Sequence, residues 1–294
     1  MRIISWNINS VRARLPRLIA LLRRHEPDIV CLQETKSPDE SFPIMQLGAA
    51  GYRVILHGQP NYNGVAFLIH DPTRRSNLWA FTDSPPCEVV SVARGLGVPT
   101  DVRQGFPGDP APYEARVVSA CVGKLRLVNV YVVNGKHRDS DQFKLKQRWM
   151  TALGKWLQSL PKIPPLLVVG DFNVAPDDRD VWDPKGLQDR IHCTDEERTW
   201  LKELQGKRLW DLLRATSEKS GFYTWWPYQR GAFDRDEGLR FDLAIGDKMV
   251  VDQMERIWVD REERRPAGRL GKPSDHAPVI IDLVEPKKLT MQYE

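Results

Sequence analysis

The sequence predicts one α/β domain with two packed β-sheets. Many short strand-like runs recur along its 294 residues, a few helical patterns are interspersed among them, and no low-complexity linker or internal repeat divides the chain. Residues 2–6 read as a first strand, and residues 15–25 as an amphipathic helix with Leu15, Leu18, Ile19 and Leu22 on one stripe. After Pro27-Asp28, the run Ile29-Val30-Cys31-Leu32 is a second strand leading into Gln33-Glu34-Thr35-Lys36. Residues 52–56, 65–69, 115–121 and 125–132 are further strand candidates, rich in β-branched side chains. Residues 141–160 carry the longest helical pattern, stopped by Pro161. Pro165-Leu166-Leu167-Val168-Val169 is a continuous apolar run bounded by Gly170 and Asp171, the pattern of a strand buried on both faces. Thr194 and Glu197 match a capping box that opens another helix. Residues 223–226, 241–245 and 278–284 complete the strands. Residues 72–112 are Pro/Gly-rich with only short apolar runs, too long for an ordinary connection, and are read as an irregular, functional or mobile insertion into a domain spanning 1–294.

Composition bounds the function. Hydrophobic residues make up 41% of the chain and charged residues 28%, ordinary for a soluble protein with a sizeable core. A net charge of +4 fits an anionic substrate without requiring one. Cys31, Cys87, Cys121 and Cys193 are widely separated and form no Cys-x-x-Cys pair, which argues against a disulfide framework or structural zinc. With no secretory h-region and no apolar stretch of membrane length, a reducing cytoplasm is the simplest address, with no membrane partner.

Polar groups collect where the apolar runs stop. Asn7 and Asn9 follow the first strand, Glu34 the second, Tyr131 closes the run 125–130, Asp171 and Asn173 follow 165–169, and Asp242 opens 241–245. Strand ends are rigid places from which to aim side chains at one point. Side chains two apart on extended chain share a side, so Asp171 and Asn173 can face one reactant. Each residue alone has a plainer reading as a turn, a cap or a satisfied core group; together, five strands ending in such groups point to a site. Asp275 and His276, far along the chain, add acid, base and metal-ligand chemistry suited to phosphate-ester hydrolysis. Oxygen ligands from Glu34, Asp275 and an amide suit a hard cation such as Mg²⁺. There is no Gly-x-x-x-x-Gly-Lys-Ser/Thr loop, and Ser274 as a covalent nucleophile is disfavoured.

The segments Ser5-Trp6-Asn7-Ile8-Asn9, Leu32-Gln33-Glu34-Thr35-Lys36, Gly64-Val65-Ala66, Gly170-Asp171-Phe172-Asn173, Gly238-Leu239-Arg240-Phe241-Asp242 and Lys272-Pro273-Ser274-Asp275-His276-Ala277-Pro278 occur in this order across nearly the whole chain. The set resembles the exonuclease III class of apurinic/apyrimidinic endonucleases, within the endonuclease/exonuclease/phosphatase superfamily. The resemblance implies a four-layered α/β sandwich of two mixed sheets flanked by helices. It implies a Mg²⁺-dependent DNA-repair nuclease, with Mn²⁺ able to substitute. Such an enzyme cuts 5′ to abasic sites and acts as 3′-phosphodiesterase, 3′-phosphatase and 3′→5′ exonuclease. Its partner would be duplex DNA with abasic sites or blocked 3′ ends, and a monomer is expected. Carried over by residue, Glu34 is the principal Mg²⁺ ligand, with Asn9 and Asp275 contributing. Asp171 orients or deprotonates the attacking water, and Asn7 and Asn173 hold the phosphate and Asp171. His276, paired with Asp242, contacts the scissile phosphate, and Tyr131 stabilises the developing charge or leaving group. Asn134 and Arg116 are DNA contacts, and Trp225, Leu239 and Phe241 form the apolar wall for an extruded abasic sugar. Asn9 in place of Asp, Val133 in place of Pro and the long 72–112 segment depart from the family pattern. A non-specific DNase, an inositol-phosphate phosphatase or sphingomyelinase on the same fold, and a catalytically dead DNA-binding relative are the alternatives.

Overall fold

A computed structural model describes residues 1–71 and 96–284. The strands are β1 (Arg2–Asn7), β2 (Ile29–Gln33), β3 (Tyr52–His57), β4 (Val65–His70), β5 (Thr100–Gln104), β6 (Val117–Val122), β7 (Leu125–Tyr131), β8 (Leu166–Asp171), β9 (Trp210–Asp211), β10 (Asp242–Gly246), β11 (Met254–Val259) and β12 (Val279–Leu283). They form two mixed six-stranded sheets, ordered β11-β12-β1-β2-β4-β3 and β5-β6-β7-β8-β10-β9. The helices are α1 (Leu15–His25), α2 (Ile44–Ala49), α3 (Asp141–Ser159), α4 (Asp195–Gln205) and α5 (Lys248–Gln253).

The alternation of side chains along the central strands explains the layering. Ile3, Ile29, Cys31 and Phe67 of the first sheet pack against Leu127, Leu167, Val169 and Ala244 of the second. Their sequence neighbours Ile4, Trp6, Val30 and Leu32 face Leu18, Leu21, Leu22 and Leu47 of α1 and α2. Val128, Val130, Leu166 and Val168 face Trp149, Met150, Leu153, Leu201 and Leu204 of α3 and α4. Both faces of each sheet are therefore covered, which is why the central strands read as unbroken apolar runs. This is the expected four-layered sandwich.

Two differences from the sequence reading have clear causes. Residues 223–226 are not a sheet strand: Trp225 makes only isolated bridges, to Leu239 and His276. Within the expected irregular insertion, Thr100–Gln104 is β5, an edge strand antiparallel to β6 with a register shift. Its side chains are all exposed, so no apolar pattern announces it. Residues 72–95, with Cys87, Arg74, Arg75 and Arg94, lie outside the described residues. Among the described residues no helix is long and apolar enough to cross a membrane.

Strand register gathers the polar ends. Tyr131 pairs with Asp171 across β7 and β8, and Asp171 with Asp242 across β8 and β10, so the three sit in one row. In the other sheet Asn7 pairs with Gln33, placing Glu34 one residue beyond. A buried polar rivet joins the sheets beneath this end: Gln33 Nε2 donates to Asn129 Oδ1 (2.8 Å), and Asn129 Nδ2 to the carbonyls of Leu32 and Ala66 (2.9 and 3.0 Å). Gly170, at φ +146°, lies so close to β7 that a Cβ would come within 1.9 Å of the Val130 carbonyl oxygen. Only glycine lets Asp171 emerge there.

Candidate active site

Asp171 is the hub. It is 1% exposed, and its Oδ2 accepts from Asn7 Nδ2 at 2.9 Å, while the same amide nitrogen donates to Glu34 Oε1 at 2.8 Å. Asp171 Oδ1 accepts from the Asn173 backbone N–H at 2.8 Å. His276 Nε2 lies 3.7 Å from Asp171 Oδ2, and His276 Nδ1 is 2.8 Å from Asp242 Oδ2. Burial, reinforced by the negative charges of Asp242 and Glu34, pushes the Asp171 carboxyl up to about 7 against the opposing pull of His276. Burial disfavours a charged His276, but the Asp242 and Asp171 carboxylates outweigh it and raise the imidazole to about 10. Near neutrality the pair is thus a base on the verge of accepting a proton beside a cationic donor.

Several backbones at this end are left-handed without being glycine: Asn9 (φ 47°), Glu34 (φ 48°), Lys36 (φ 49°) and Asn173 (φ 52°). Such conformations persist where surrounding bonds over-determine them, and they cluster at functional sites. They also change the account of Asp171 and Asn173. Alternation along a strand does not bring them together; an Asx turn does, and the Asn9 N–H to Asn7 Oδ1 bond (3.1 Å) repeats the motif.

The donor set beside this hub fits a hard cation. The Lys36 ammonium stands 2.7 Å from both Glu34 Oε2 and Asn9 Oδ1, a positive charge held between two hard oxygens. Asn9 Nδ2 donates to Asp275 Oδ1 (2.8 Å) and Trp225 Nε1 to Asp275 Oδ2 (3.2 Å). Burial opposes the charge on Asp275, but His276 and these hydrogen bonds hold it below the usual carboxylate range. Ligand atoms of Glu34, Asp171 and His276 also lie within 4.8 Å of one another. Glu34, Asn9 and Asp275 form a second group of oxygen donors beside it, of the kind a hard cation takes.

The remaining candidates ring this centre. Tyr131 is a hydrogen-bond partner of Glu34; burial and the charges of Glu34 and Asp171 raise its pKa well above the phenolic value, so it stays a neutral hydroxyl. Arg116 is 7% exposed, paired with Glu114 and lying 5.0 Å over the Tyr131 ring, so it faces Tyr131 more than solvent. Asn134 Nδ2 donates to Asn173 Oδ1 (3.0 Å), and Asn173 Nδ2 to the Val132 carbonyl (3.0 Å). Trp225 stacks on Phe241 (5.2 Å between centroids) beside Leu239, and Thr224 Oγ1 accepts from the Phe241 and Asp242 backbone N–H groups. Ser274 Oγ donates to the Asn7 carbonyl at 2.8 Å, a structural bond.

The decisive comparison is with a protein family. The Endonuclease/Exonuclease/phosphatase family matches residues 4–276. The chain belongs to this family. Among the relatives of this endonuclease/exonuclease/phosphatase-family chain, exodeoxyribonuclease III of Haemophilus influenzae is 29% identical over 95% of this chain and 98% of its own. The solved structure of a 3′ phosphatase, NExo, from Neisseria bound to product DNA hairpin has TM-score 0.82 and 35% identity, covering 96% and 99% of the two chains. An AP endonuclease from Archaeoglobus fulgidus has TM-score 0.81 and 27% identity over 96% and 99%. The enzyme is thus a hydrolytic nuclease of the exodeoxyribonuclease III/AP endonuclease type.

Two residues beside this centre carry no clear signal in the sequence. His192, left-handed at φ 74°, donates from Nδ1 to the Asn173 carbonyl oxygen (2.6 Å) and sets its ring 4.8 Å from Phe241. Burial and the neighbouring Lys146 cation push its pKa down to about 3, so it is a neutral imidazole. Nothing in Arg190-Ile191-His192-Cys193 signals this. Lys146 left a trace: it interrupts the apolar stripe Phe143, Met150, Leu153 and Leu157 of α3.

Proposed function

We propose that the chain is a Mg²⁺-dependent phosphoesterase of duplex DNA, acting at blocked 3′ ends and 5′ to abasic sites. The observation that carries this reading is the Asn7 amide, which ties Asp171 to Glu34 while His276 stands 3.7 Å from the same carboxylate. Asp171 takes a proton from water as the water oxygen attacks phosphorus. The P–O bond to the sugar breaks, and the departing alkoxide oxygen takes a proton from solvent water to become a hydroxyl. Asn173 Nδ2 and the His276 imidazolium are donors for the phosphoryl oxygens, where charge grows in the transition state, while Asn7 spends both amide hydrogens holding Asp171 and Glu34. The Tyr131 hydroxyl serves the leaving side. Glu34, Asn9 and Asp275 would hold a divalent cation, which would supply Lewis-acid stabilisation of that charge. The test is DNA hydrolysis with Mg²⁺, with Mn²⁺ and in excess EDTA: activity with either cation and its loss in EDTA are expected, and full incision in EDTA would contradict the metal role.

His192 bears on the balance between the two substrates. Its imidazole lies against Phe241, on the wall where a base-free sugar would enter, which favours work at 3′ ends. The Neisseria relatives described as a 3′ phosphatase and a 3′-5′ exonuclease point the same way. Glycine suits the left-handed backbone at this position and removes the ring. His192→Gly is therefore expected to raise abasic incision relative to 3′-phosphate release by about tenfold, the scale of a pocket-shape change. An unchanged ratio in a folded variant would leave His192 a packing residue. Replacing Trp225 and Phe241 together by Ala should likewise relax discrimination against intact nucleotides.

A further inference from the structure

We propose that Lys146 is a positioning residue for the phosphate-contacting amides, holding Asn134 and Asn173 in place through their main-chain carbonyls; this rests on the function proposed above. Lys146 is fully buried on the apolar stripe of α3, where an alkyl side chain would cost less to bury. Its ammonium nevertheless has three acceptors for its three hydrogens: the Asn173 carbonyl (2.7 Å), the Asn134 carbonyl (3.3 Å) and Glu197 Oε1. One side chain thereby joins the segment after β7, the turn after β8 and the first turn of α4. Glu197 is itself fixed, its Oε2 accepting from Thr194 Oγ1 at 2.8 Å within the capping box. Gly135 (φ +93°) brings the Asn134 segment down onto the lysine stem, where a Cβ would lie 3.2 Å from Lys146 Cδ.

The consequence runs straight to the reacting groups. Asn173 is left-handed, and its carbonyl is held by both Lys146 and His192. That conformation aims the Asn173 N–H at Asp171 Oδ1 and lets Asn173 Oδ1 accept from Asn134. Without the ammonium, two carbonyls lose a charged donor and the two amides are free to drift. The competing view is a buried ion pair that merely fastens α3 to α4.

Glu197→Gln separates the two, because it breaks the ion pair and leaves both carbonyl bonds. On the full-length protein with a 3′-phosphate duplex, melting temperature and single-turnover kcat and KM are measured together. Glu197→Gln is expected to lower Tm with kcat near wild type. Lys146→Met should lower kcat by about 10²-fold, the scale of a misplaced contact, with little change in KM. Lys146→Met/Glu197→Gln removes the lone buried carboxylate, so Tm should recover while kcat per folded molecule stays low. Recovery of kcat together with Tm in the double variant, or equal loss of kcat in the two single variants, would overturn the proposal. A wild-type protein that releases no phosphate from DNA would instead refute the underlying function.

Discussion

Asp171→Asn is expected to lower kcat at saturating DNA by at least ~10²-fold, the scale on which a positioned acid–base group acts. The substitution is nearly isosteric, and its carbonyl oxygen can still accept from the Asn173 N–H. The new amide nitrogen would instead meet Asn7 Nδ2, a donor facing a donor where Asp171 Oδ2 now accepts at 2.9 Å. No group then remains to accept the water proton. Duplex affinity should survive, because phosphate contacts elsewhere supply most of it. The pH dependence supplies an independent signature. A carboxyl raised to about 7 becomes an effective base only above that pH, and a divalent cation at Glu34 would lower it, so wild-type kcat in Mg²⁺ should rise along an acidic limb lying below about pH 7. The residual activity of Asp171→Asn should lack the limb altogether. Near-wild-type kcat in this variant would remove Asp171 from the chemistry.

His276→Ala should cost both rate and stability. The imidazolium donor to the phosphoryl oxygens disappears, a loss of ~10²-fold or more in kcat. Asp242 also loses its partner while 2% exposed, and its Oδ1 already has no hydrogen-bond partner among the described residues. Stranding a buried charge in this way typically costs about 3–5 kcal/mol. The sign of the pH dependence follows from the raised imidazole: its stabilising contribution is complete below the ordinary value of 6.5 and is lost as pH rises through about 10. Urea denaturation should therefore show a large gap between wild type and His276→Ala at neutral pH that narrows above pH 10. A constant gap would mean that the imidazole charge does not stabilise the fold.

What the sequence made legible was what depends on local pattern. Strands buried on both faces, β1, β2 and β8, stand out as apolar runs, and the Thr194–Glu197 capping box announces α4 and is observed. Edge strands do not stand out, because β5 is exposed throughout and much of β11 is partly exposed. The helices α2 and α5 have six residues each, too few to show a periodic stripe. Residues 223–226 read as a strand because Trp225 and Thr224 have strand-like side chains, yet their backbone bonds go to Leu239 and Ala277 outside any sheet. At the site, the groups at strand tips were visible because strand ends can be read. His192 was not, and Lys146 showed only as a break in the α3 stripe, because both derive their roles from the Asn173 carbonyl, 19 and 27 residues away. A further support was hidden for the same reason. Arg240, 2% exposed, pairs with Asp180 and Asp211 and so anchors the segment bearing Leu239, Phe241 and Asp242.

The central claim is that this strand-end site hydrolyses phosphate esters of DNA rather than of small polyols or lipids. The most direct measurement is phosphate release by one preparation, in Mg²⁺, from a 3′-phosphate-terminated duplex and from an inositol polyphosphate at matched concentration, with Asp171→Asn as the blank. Release from the duplex that falls by at least ~10²-fold in Asp171→Asn, with none from the inositol polyphosphate, is the expected result. Release from the inositol polyphosphate at the duplex rate, or duplex cleavage at a near-wild-type rate in Asp171→Asn, would contradict it.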